Sequence, residues 1–390
     1  KRHLNFLGSD LFEGRAPGTL GGNLAAKYLA LEFNKLKLKP ISNENSYYQN
    51  IPFHSSKPRS SSELKIDTPD STILFFLNND FLLYQSGESV FFPRAVPLVF
   101  AGYGISAPEF NYDDYKDVNV EGKIVVFMEG EPISFDPSFF DANYPTIYSL
   151  PEAKQRIALS KGAKGTIILP LEIRNFEEYW ETQVRNFSFE KLSLASSPST
   201  TLDILLNPYN SNILFTGSEF SFDDIYDFHK NGQMRSFPLK VELTFKGDFQ
   251  HKDFISPNIV GLLEGEDSEM KDRYIIVSAH YDHLGIGLAV NGDSIYNGVF
   301  DNAAGVAALL EIARMFSEKQ IKNKRSIIFI LTTAEENGLL GSYFYTNNPL
   351  VPLHKTIANI NIDGIASFDE FNSVIGIGSE YSTLKVFLEE

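Results

Sequence analysis

The sequence predicts an α/β fold, a mostly parallel mixed sheet flanked by helices, with a smaller mixed α/β domain inserted. Three nearly continuous apolar runs, at residues 274–279, 326–333 and 357–362, are typical of strands that are covered on both faces. Between the first two runs, apolar residues recur at helical spacing over residues 302–317. A strand, a helix and a strand in succession predict a βαβ unit.

The elements before this unit follow from local signals. Apolar residues at helical spacing predict a helix over residues 20–36, which Pro40 ends. A second helix is predicted over residues 151–161, with proline at its start and Gly162 after its end. The serine-rich stretch 55–62 is predicted to be a loop. Strands are predicted at residues 98–104, 122–128, 165–169 and 258–264.

The change in pattern along the chain predicts its domain organisation. Short strands with one or two helices over residues 97–250 indicate a separate inserted module. Residues 1–96 and 251–390 then form the N-terminal and C-terminal parts of the main domain. With 390 residues, 43% of them hydrophobic, the chain can build cores for both.

Composition excludes several classes of function. The net charge of −16, without a block of Lys or Arg, argues against a nucleic-acid partner. The absence of cysteine excludes thiolate nucleophiles and cysteine-based zinc sites. No apolar run approaches the ~18 residues that a membrane span requires. Because the sequence starts at Lys1, we expect any signal peptide to lie outside it.

Acidic residues and one imidazole follow the three apolar runs. His280 and Asp282 follow the first, Glu335 and Glu336 the second, and Asp363 the third. Sites form at the carboxyl ends of strands in α/β sheets, so these groups are expected to converge. Like-charged carboxylates repel one another unless cations neutralise them, and imidazole with carboxylates suits zinc. The pattern therefore predicts a metal site, and two cations use these ligands more naturally than one.

Spacing suggests different roles for neighbouring residues. His280 and Asp282 are two apart and point to the same side of a strand, so Asp282 can hold the imidazole in place. Glu335 and Glu336 are adjacent and point in different directions. One of them can bind metal while the other handles a proton. Asp301 lies at the predicted start of the helix at 302–317, where small residues allow the backbone to approach a site closely.

Each of these residues also has a structural explanation. His280 with Asp282 could be a hydrogen-bonded pair. Glu335–Glu336 and Asp301 could be acidic residues at helix starts. His283 is more simply a residue that binds no metal. Two further residues, Glu13 and Arg15, could recognise a substrate terminus or form a structural salt bridge.

Taken together, the motifs resemble the co-catalytic dizinc exopeptidases, which include bacterial zinc aminopeptidases, glutamate carboxypeptidase and the transferrin receptor, with glutaminyl cyclase as a further relative. They occur in that family's order, and the resemblance extends to residues 7–22 and 97–250. The segments that carry it are Ser256-Pro-Asn-Ile-Val-Gly, His280-Tyr-Asp-His-Leu-Gly, Gly298-Val-Phe-Asp-Asn-Ala-Ala-Gly, Thr333-Ala-Glu-Glu-Asn-Gly-Leu-Leu-Gly-Ser and Asn361-Ile-Asp.

The resemblance implies the zinc-exopeptidase fold, a protease-associated domain at 97–250 and an aminopeptidase acting on peptide substrates. It also implies a periplasmic or extracellular location. By this resemblance, His280 and Asp363 bind one zinc ion, Glu336 binds the other and Asp301 bridges both. Glu335 is then the general base, and Asp282 orients His280. The alternatives left open are a cyclase-like acyltransferase with one zinc ion and a receptor-like binding protein without catalysis.

One departure from the family concerns the second zinc ion. The family has a further histidine ligand well after the position of Asp363, and no histidine follows His354 here. We therefore expect the C-terminal part of the protein to be missing from this sequence. We also expect the second metal position to be weakly occupied or empty in this chain. His283 is the only nearby substitute ligand.

Overall fold

The computed structural model describes residues 1–42, 45–85, 90–133, 136, 139–140, 144–171, 175–197, 201–318, 321–364, 376–379 and 382–388. The chain forms two compact units. The first, called the catalytic unit below, consists of Lys1–Ile51 and Ile255–Glu390. The second, called the inserted unit, is Pro52–Phe254. The predicted boundary at residue 97 lies within a strand of the inserted unit.

The described residues form both helices and strands. Among the described residues, none of the helices is both long and apolar enough to cross a membrane. The helices are α1 Arg2–Leu7, α2 Leu20–Lys35, α3 Pro151–Ser160, α4 Phe176–Asn186, α5 Ser211–Leu214, α6 Phe222–Lys230, α7 Ala304–Ser317, α8 Leu340–Asn347 and α9 Leu384–Leu388. The strands are β1 Lys39–Pro40, β2 Tyr48–Pro58, β3 Glu63–Asp67, β4 Thr72–Phe76, β5 Phe81–Gln85, β6 Phe91–Ala101, β7 Ser106–Ala107, β8 Tyr112–Asp113, β9 Ile124–Met128, β10 Gly165–Leu169, β11 Lys191–Leu194, β12 Leu202–Leu206, β13 Ser236–Lys246, β14 Phe249–Leu263, β15 Tyr274–His280, β16 Gly285–Val290, β17 Asp293–Tyr296, β18 Ser326–Thr332 and β19 Thr356–Asn361.

The catalytic unit contains a mixed sheet in which β14, β18, β15 and β19 are neighbours in that order. Strand β15 pairs in parallel with both β18 and β19, whereas β14 pairs antiparallel with β18 and with the short β1. Helix α7 connects the hairpin β16–β17 to β18, as the βαβ pattern predicts. The predicted fold class, a mixed sheet flanked by helices, is confirmed.

Strand β18 shows why the apolar runs are continuous, since all seven of its residues are buried. Ile327 and Phe329 belong to the core that also contains residues of α2 and α7. Ile328 and Ile330 belong to a different core, which includes Tyr345 of α8. Successive side chains point to opposite faces, so a strand with helices on both sides needs apolar residues at every position.

The inserted unit contains an eight-stranded sheet with the strand order β4-β3-β13-β6-β9-β10-β12-β5. Four central strands, β6, β9, β10 and β12, are parallel to their neighbours within this group. The outer pairs are antiparallel. Strands β9, β10 and β12 are buried along their whole length, as expected for parallel strands covered on both faces.

Two local predictions can be compared directly with these elements. Helix α2 ends one residue before the predicted end at 36. The predicted loop at 55–62 is wrong in its first half, because β2 continues to Pro58 and pairs with β11. Ser55 is buried there and its hydroxyl donates to the Glu190 carboxylate at 2.6 Å. Backbone pairing and a buried partner override the serine-rich composition.

Candidate metal centre

The site lies where three neighbouring strands end. Strand β15 ends at His280, which is in register with Thr332, the last residue of β18. Glu335 follows three residues after Thr332. On the other side, Asn361 ends β19 and is followed two residues later by Asp363. Because these strands are parallel neighbours, their carboxyl ends meet at one edge of the sheet.

His280 lies at the centre of the acidic groups. Its Nε2 atom is 2.9 Å from Asp301 Oδ1 and 3.5 Å from Asp363 Oδ1. It is also 3.8 Å from Glu335 Oε2. The imidazole is buried, whereas Asp301 and Asp363 remain partly exposed. Three carboxylates therefore surround one nitrogen that the folded chain shields from solvent.

Asp301 is held in an irregular turn, not at the start of a helix. The turn spans Val299–Ala303, and the backbone of Asp301 and Asn302 is not helical. Helix α7 begins at Ala304, two residues later than predicted. The buried Asn302 side chain donates to the carbonyl of Ile362 at 2.8 Å and accepts from the N–H of Gly305 at 2.9 Å. Asn302 thus ties the Asp301 turn to the loop that carries Asp363, and sequence reasoning missed it.

Asp282 contacts the loop of Glu335. Its Oδ1 atom accepts a hydrogen bond from the backbone N–H of Glu335 at 3.2 Å. The same oxygen is 3.8 Å from His280 Nδ1, which is too far for a hydrogen bond. His280 Nδ1 lies 3.2 Å from the backbone oxygen of Asp282 instead. The Asp282 side chain is fully buried and connects the end of β15 with the loop after β18.

A second buried asparagine, Asn258, holds the loop after β18 in position. Asn258 Oδ1 accepts from the N–H of Thr333 at 3.1 Å. Its amide group donates to the carbonyl of Gly341 at 2.9 Å and to Gln49 Oε1 at 3.0 Å. All of these contacts lie within the catalytic unit. They satisfy a buried amide completely and hold both ends of the segment that carries Glu335 and Glu336.

Arg15 links the N-terminal segment to the same site. It is fully buried, and its guanidinium group donates to four backbone carbonyls. One donation goes to the carbonyl of Tyr281 at 2.7 Å, between His280 and Asp282. The others go to the carbonyls of Leu7 at 2.8 Å, Asn297 at 2.6 Å and Gly298 at 2.7 Å. Arg15 therefore stabilises the loops that carry His280 and Asp301. The sequence suggested that Arg15 recognises a substrate terminus or forms a structural salt bridge, and its hydrogen bonds to backbone carbonyls match neither role.

Burial and mutual repulsion perturb the acidic groups. Burial, followed by the charges of Asp301 and Asp282, raises the pKa of Glu336 to about 7. Burial also raises the pKa of Asp282 to about 6, and it is the main cause of a raised pKa at Glu335. For His280, burial opposes protonation, but the surrounding carboxylates outweigh it and raise the pKa. Burial lowers the pKa of His283.

These residues fit a divalent cation. Atoms of His280, Asp301 and Asp363 lie within 4.8 Å of one another, and so do those of His283, Asp301 and Glu336. A third such group is His280 with Glu335 and Glu336. Glu336 Oε1 is buried and has no hydrogen-bond partner among the described residues. Imidazole and carboxylate groups are common zinc ligands, and a cation would satisfy that oxygen.

Residues 258–385 match the family model of peptidase family M28. This part of the chain is a peptidase family M28 domain. The family resemblance found in the sequence is thereby confirmed at the level of the peptidase family. The match favours the peptidase interpretation over the cyclase-like and receptor-like alternatives.

Curated relatives carry names of the same kind. A "Probable zinc metalloprotease" of Pyricularia oryzae is 31% identical over 156 residues, which cover 40% of this chain and 26% of that protein. "Aminopeptidase NAALADL1" of Mus musculus is 34% identical over 141 residues, which cover 35% of this chain and 17% of that protein. The chain thus spans about a quarter or less of the length of these relatives.

A solved structure of an aminopeptidase is similar to nearly the whole chain. The aminopeptidase from Aneurinibacillus sp. strain AM-1 matches with a TM-score of 0.52 and 21% identity, covering 94% of this chain and 70% of that chain. At this level of identity the likeness shows the fold.

Replacing Arg15 should destabilise the metal-free catalytic unit. Arg15→Met leaves four buried carbonyls without their donor, so we expect a loss of about 3–5 kcal/mol in its free energy of unfolding. Arg15→Lys should fall between this variant and the wild type, because an ammonium group cannot reach all four carbonyls. Chemical denaturation measures the effect. Arg314→Met, at an exposed arginine of α7, is the matched control and should cost far less stability than Arg15→Met, because its ion pairs with Glu311 and Glu318 lie at the surface. Equal stability of Arg15→Met and Arg314→Met would contradict the assignment.

Zinc affinity should rise with pH. Ligands bind metal in the deprotonated form, and the pKa values of Glu336 and His280 are raised. Protons therefore compete with zinc below neutrality, and we expect affinity at pH ~6 to be about tenfold or more weaker than at pH ~8. Titration of the metal-free chain against a competing chelator of known pH dependence measures this. Equal affinities at the two pH values would show that these groups do not bind the ion.

Proposed function

We propose that this chain is a zinc-dependent aminopeptidase that removes N-terminal residues from peptides through a two-metal site. The observation that carries the proposal is the convergence of His280, Asp301, Glu336 and Asp363, with Glu335 beside them, at the edge of the sheet. The M28 family of residues 258–385 supports it. An acidic pocket also suits a free N-terminal amine, which is positively charged.

The proposed ligands divide into two sets that share Asp301. His280 and Asp363 would hold one zinc ion, Glu336 would hold the other, and Asp301 would contribute to both sets. Bound zinc lowers the pKa of water and stabilises negative charge on the carbonyl oxygen that is attacked. Glu335 takes the proton from the attacking water and delivers it to the leaving amine. The raised pKa of Glu335 suits this exchange, since it makes the carboxylate a stronger base than an ordinary glutamate.

Asp282 is proposed to orient the site. It accepts from the backbone N–H of Glu335 and lies beside the His280 ring, so it can influence both the base and a ligand. This carboxylate is fully buried. Its role is to hold other residues in position.

The inserted unit is proposed to be a protease-associated domain. Its mixed eight-stranded sheet and its continuous course from Pro52 to Phe254, between two parts of the catalytic unit, support this. A periplasmic or extracellular location is proposed from the family resemblance.

A panel of aminoacyl anilides tests the function. We expect release from substrates with a free amine, loss of activity after treatment with a chelator, and recovery when zinc is restored. The N-acetylated forms of the same anilides are the control, because an aminopeptidase requires the free amine. Hydrolysis of both forms at equal rates would exclude an aminopeptidase, and no chelator-sensitive hydrolysis of any substrate would exclude the proposal.

Glu335→Gln tests the general base. The amide keeps the size of the side chain but cannot accept a proton, so we expect kcat to fall by about 10²–10⁴-fold while zinc content stays unchanged. Glu311→Gln, at an exposed glutamate of α7, is the control and should behave like the wild type. Near-normal turnover by Glu335→Gln would assign the base to another residue.

A further inference from the structure

We propose that two buried amide side chains, Asn258 and Gln49, keep Ala334 in a strained left-handed conformation and thereby set the position of the Glu335 carboxylate. Both amides are positioning residues, because their hydrogen bonds run to the backbone and to each other. This role deepens the proposed function and rests on it for the assignment of Glu335 as the general base.

Ala334 is the strained residue of the loop. It lies two residues after the end of β18, directly before Glu335, and is fully buried. Its φ angle is 54°, in the left-handed region that a residue with a Cβ atom adopts only at a cost in free energy. Such a residue persists only where the surrounding contacts determine its conformation, and strained residues cluster at active sites. The contacts on either side of Ala334 therefore hold the strain.

On the N-terminal side, Asn258 of β14 fixes the residue before Ala334. The N–H of Thr333 donates to Asn258 Oδ1 at 3.1 Å, and the Asn258 amide nitrogen donates to the carbonyl of Gly341 at 2.9 Å. Thr333 and Gly341 are also joined directly, since the N–H of Gly341 donates to the Thr333 carbonyl at 3.1 Å. One carboxamide thus bonds to both ends of the loop 333–341. Water does not replace these bonds, because Asn258 and Thr333 are fully buried.

Gln49 of β2 fixes the orientation of the Asn258 amide. Gln49 is also buried, and its Oε1 atom accepts the second N–H of Asn258 at 3.0 Å. Its own amide nitrogen donates to the carbonyl of Asn348, the residue after α8, at 2.8 Å. Each of these contacts has a defined donor and acceptor, so the Asn258 amide fits only with its oxygen toward Thr333. The two amides therefore act as one unit.

On the C-terminal side, Asp282 fixes the residue after Ala334. The N–H of Glu335 donates to the buried Asp282 carboxylate at 3.2 Å. Ala334 is thus enclosed between two anchored N–H groups, those of Thr333 and Glu335. A change of φ at Ala334 rotates the chain that follows it. Such a change would move Glu335 Oε2 from its place 3.8 Å from His280 Nε2.

The experiment combines two measurements. Steady-state hydrolysis at saturating Zn²⁺ uses the aminoacyl anilide that the wild type cleaves fastest, and hydrogen–deuterium exchange of the metal-free chain follows residues 333–341. For Asn258→Ala we expect kcat to fall about 10–100-fold with KM changed by less than about twofold, and exchange over 333–341 to be at least about tenfold faster. Asn347→Ala, at an exposed amide of α8, is the matched control and should behave like the wild type.

Ala334→Gly separates positioning from a general loss of stability. Glycine adopts a left-handed φ without strain, so the loop then needs the amides less. Added to Asn258→Ala, it should raise kcat about fivefold and slow the exchange again. All variants are compared at a temperature where circular dichroism shows them folded, so a role of Asn258 in stability alone predicts no such recovery.

A milder variant covers the case in which Asn258→Ala does not fold. Gln49→Met keeps the length of the side chain and loses both hydrogen bonds of Gln49, so we expect a fall in kcat of about three- to tenfold, which Ala334→Gly should also partly restore. Wild-type kcat in a folded Asn258→Ala or Gln49→Met variant would overturn the proposal, and so would a loss of kcat that Ala334→Gly leaves unchanged.

Hydrogen exchange separates this proposal from the proposed function. A wild-type chain that hydrolyses no aminoacyl anilide would overturn the aminopeptidase. Faster exchange over 333–341 in Asn258→Ala, slowed again by Ala334→Gly, would then still support the amides as the hold on the strained residue. Unchanged exchange would overturn that hold. In an active chain, wild-type kcat in the amide variants would overturn the role of the amides and leave the aminopeptidase standing.

Discussion

The arrangement of the catalytic unit depends on the buried guanidinium group of Arg15. Its four hydrogen bonds to backbone carbonyls connect the N-terminal segment with the loop after β15 and with the segment before α7. The charge faces Asp282, Asp301 and Glu336, so it partly offsets their repulsion. Burial lowers the pKa of Arg15 to about 10, which leaves the group charged at neutral pH. A single side chain thus supplies both structural support and positive charge to an acidic site.

That support matters because the site concentrates like charges. Acidic and imidazole groups meet beside the ends of β15, β18 and β19, and burial makes the ionised carboxylates costly. Neutral asparagines tie the loops without adding charge: Asn302 joins the Asp301 turn to Ile362, and Asn258 holds Thr333. Burial, together with neighbouring negative charges, raises the pKa values of Glu335 and Glu336, so their ionised forms need further positive charge nearby. A cation is the natural source of it.

Much of the fold and of the candidate site was predictable from local patterns. Strands covered on both faces produce nearly continuous apolar runs, so β15 and β18 could be recognised directly. The run at β19 also marks a strand, but the prediction that it is covered on both faces is wrong for the described residues, since Ile357 and Ile360 are exposed. The polar residues that directly follow such apolar runs could likewise be recognised as a candidate site. Features at the surface and at sheet edges were harder to predict. Strand β2 continues through a serine-rich stretch because it pairs with β11, and this partner lies more than a hundred residues away in the sequence. The turn at Asp301 was mistaken for a helix start because its irregular shape depends on Asn302 bonding to Ile362, sixty residues later.

By itself, the sequence determined the α/β class, the strands that form the centre of the catalytic unit, and the residue types that gather at their ends. These follow from hydrophobic periodicity and from the polarity of strand ends, which are local properties. Only the tertiary structure decided which way each side chain points and what holds it. The tautomer of His283 depends on the carbonyl of Tyr296, and the role of Arg15 depends on carbonyls as far away as Gly298. Such contacts join residues that are distant in the chain, and no periodicity records them.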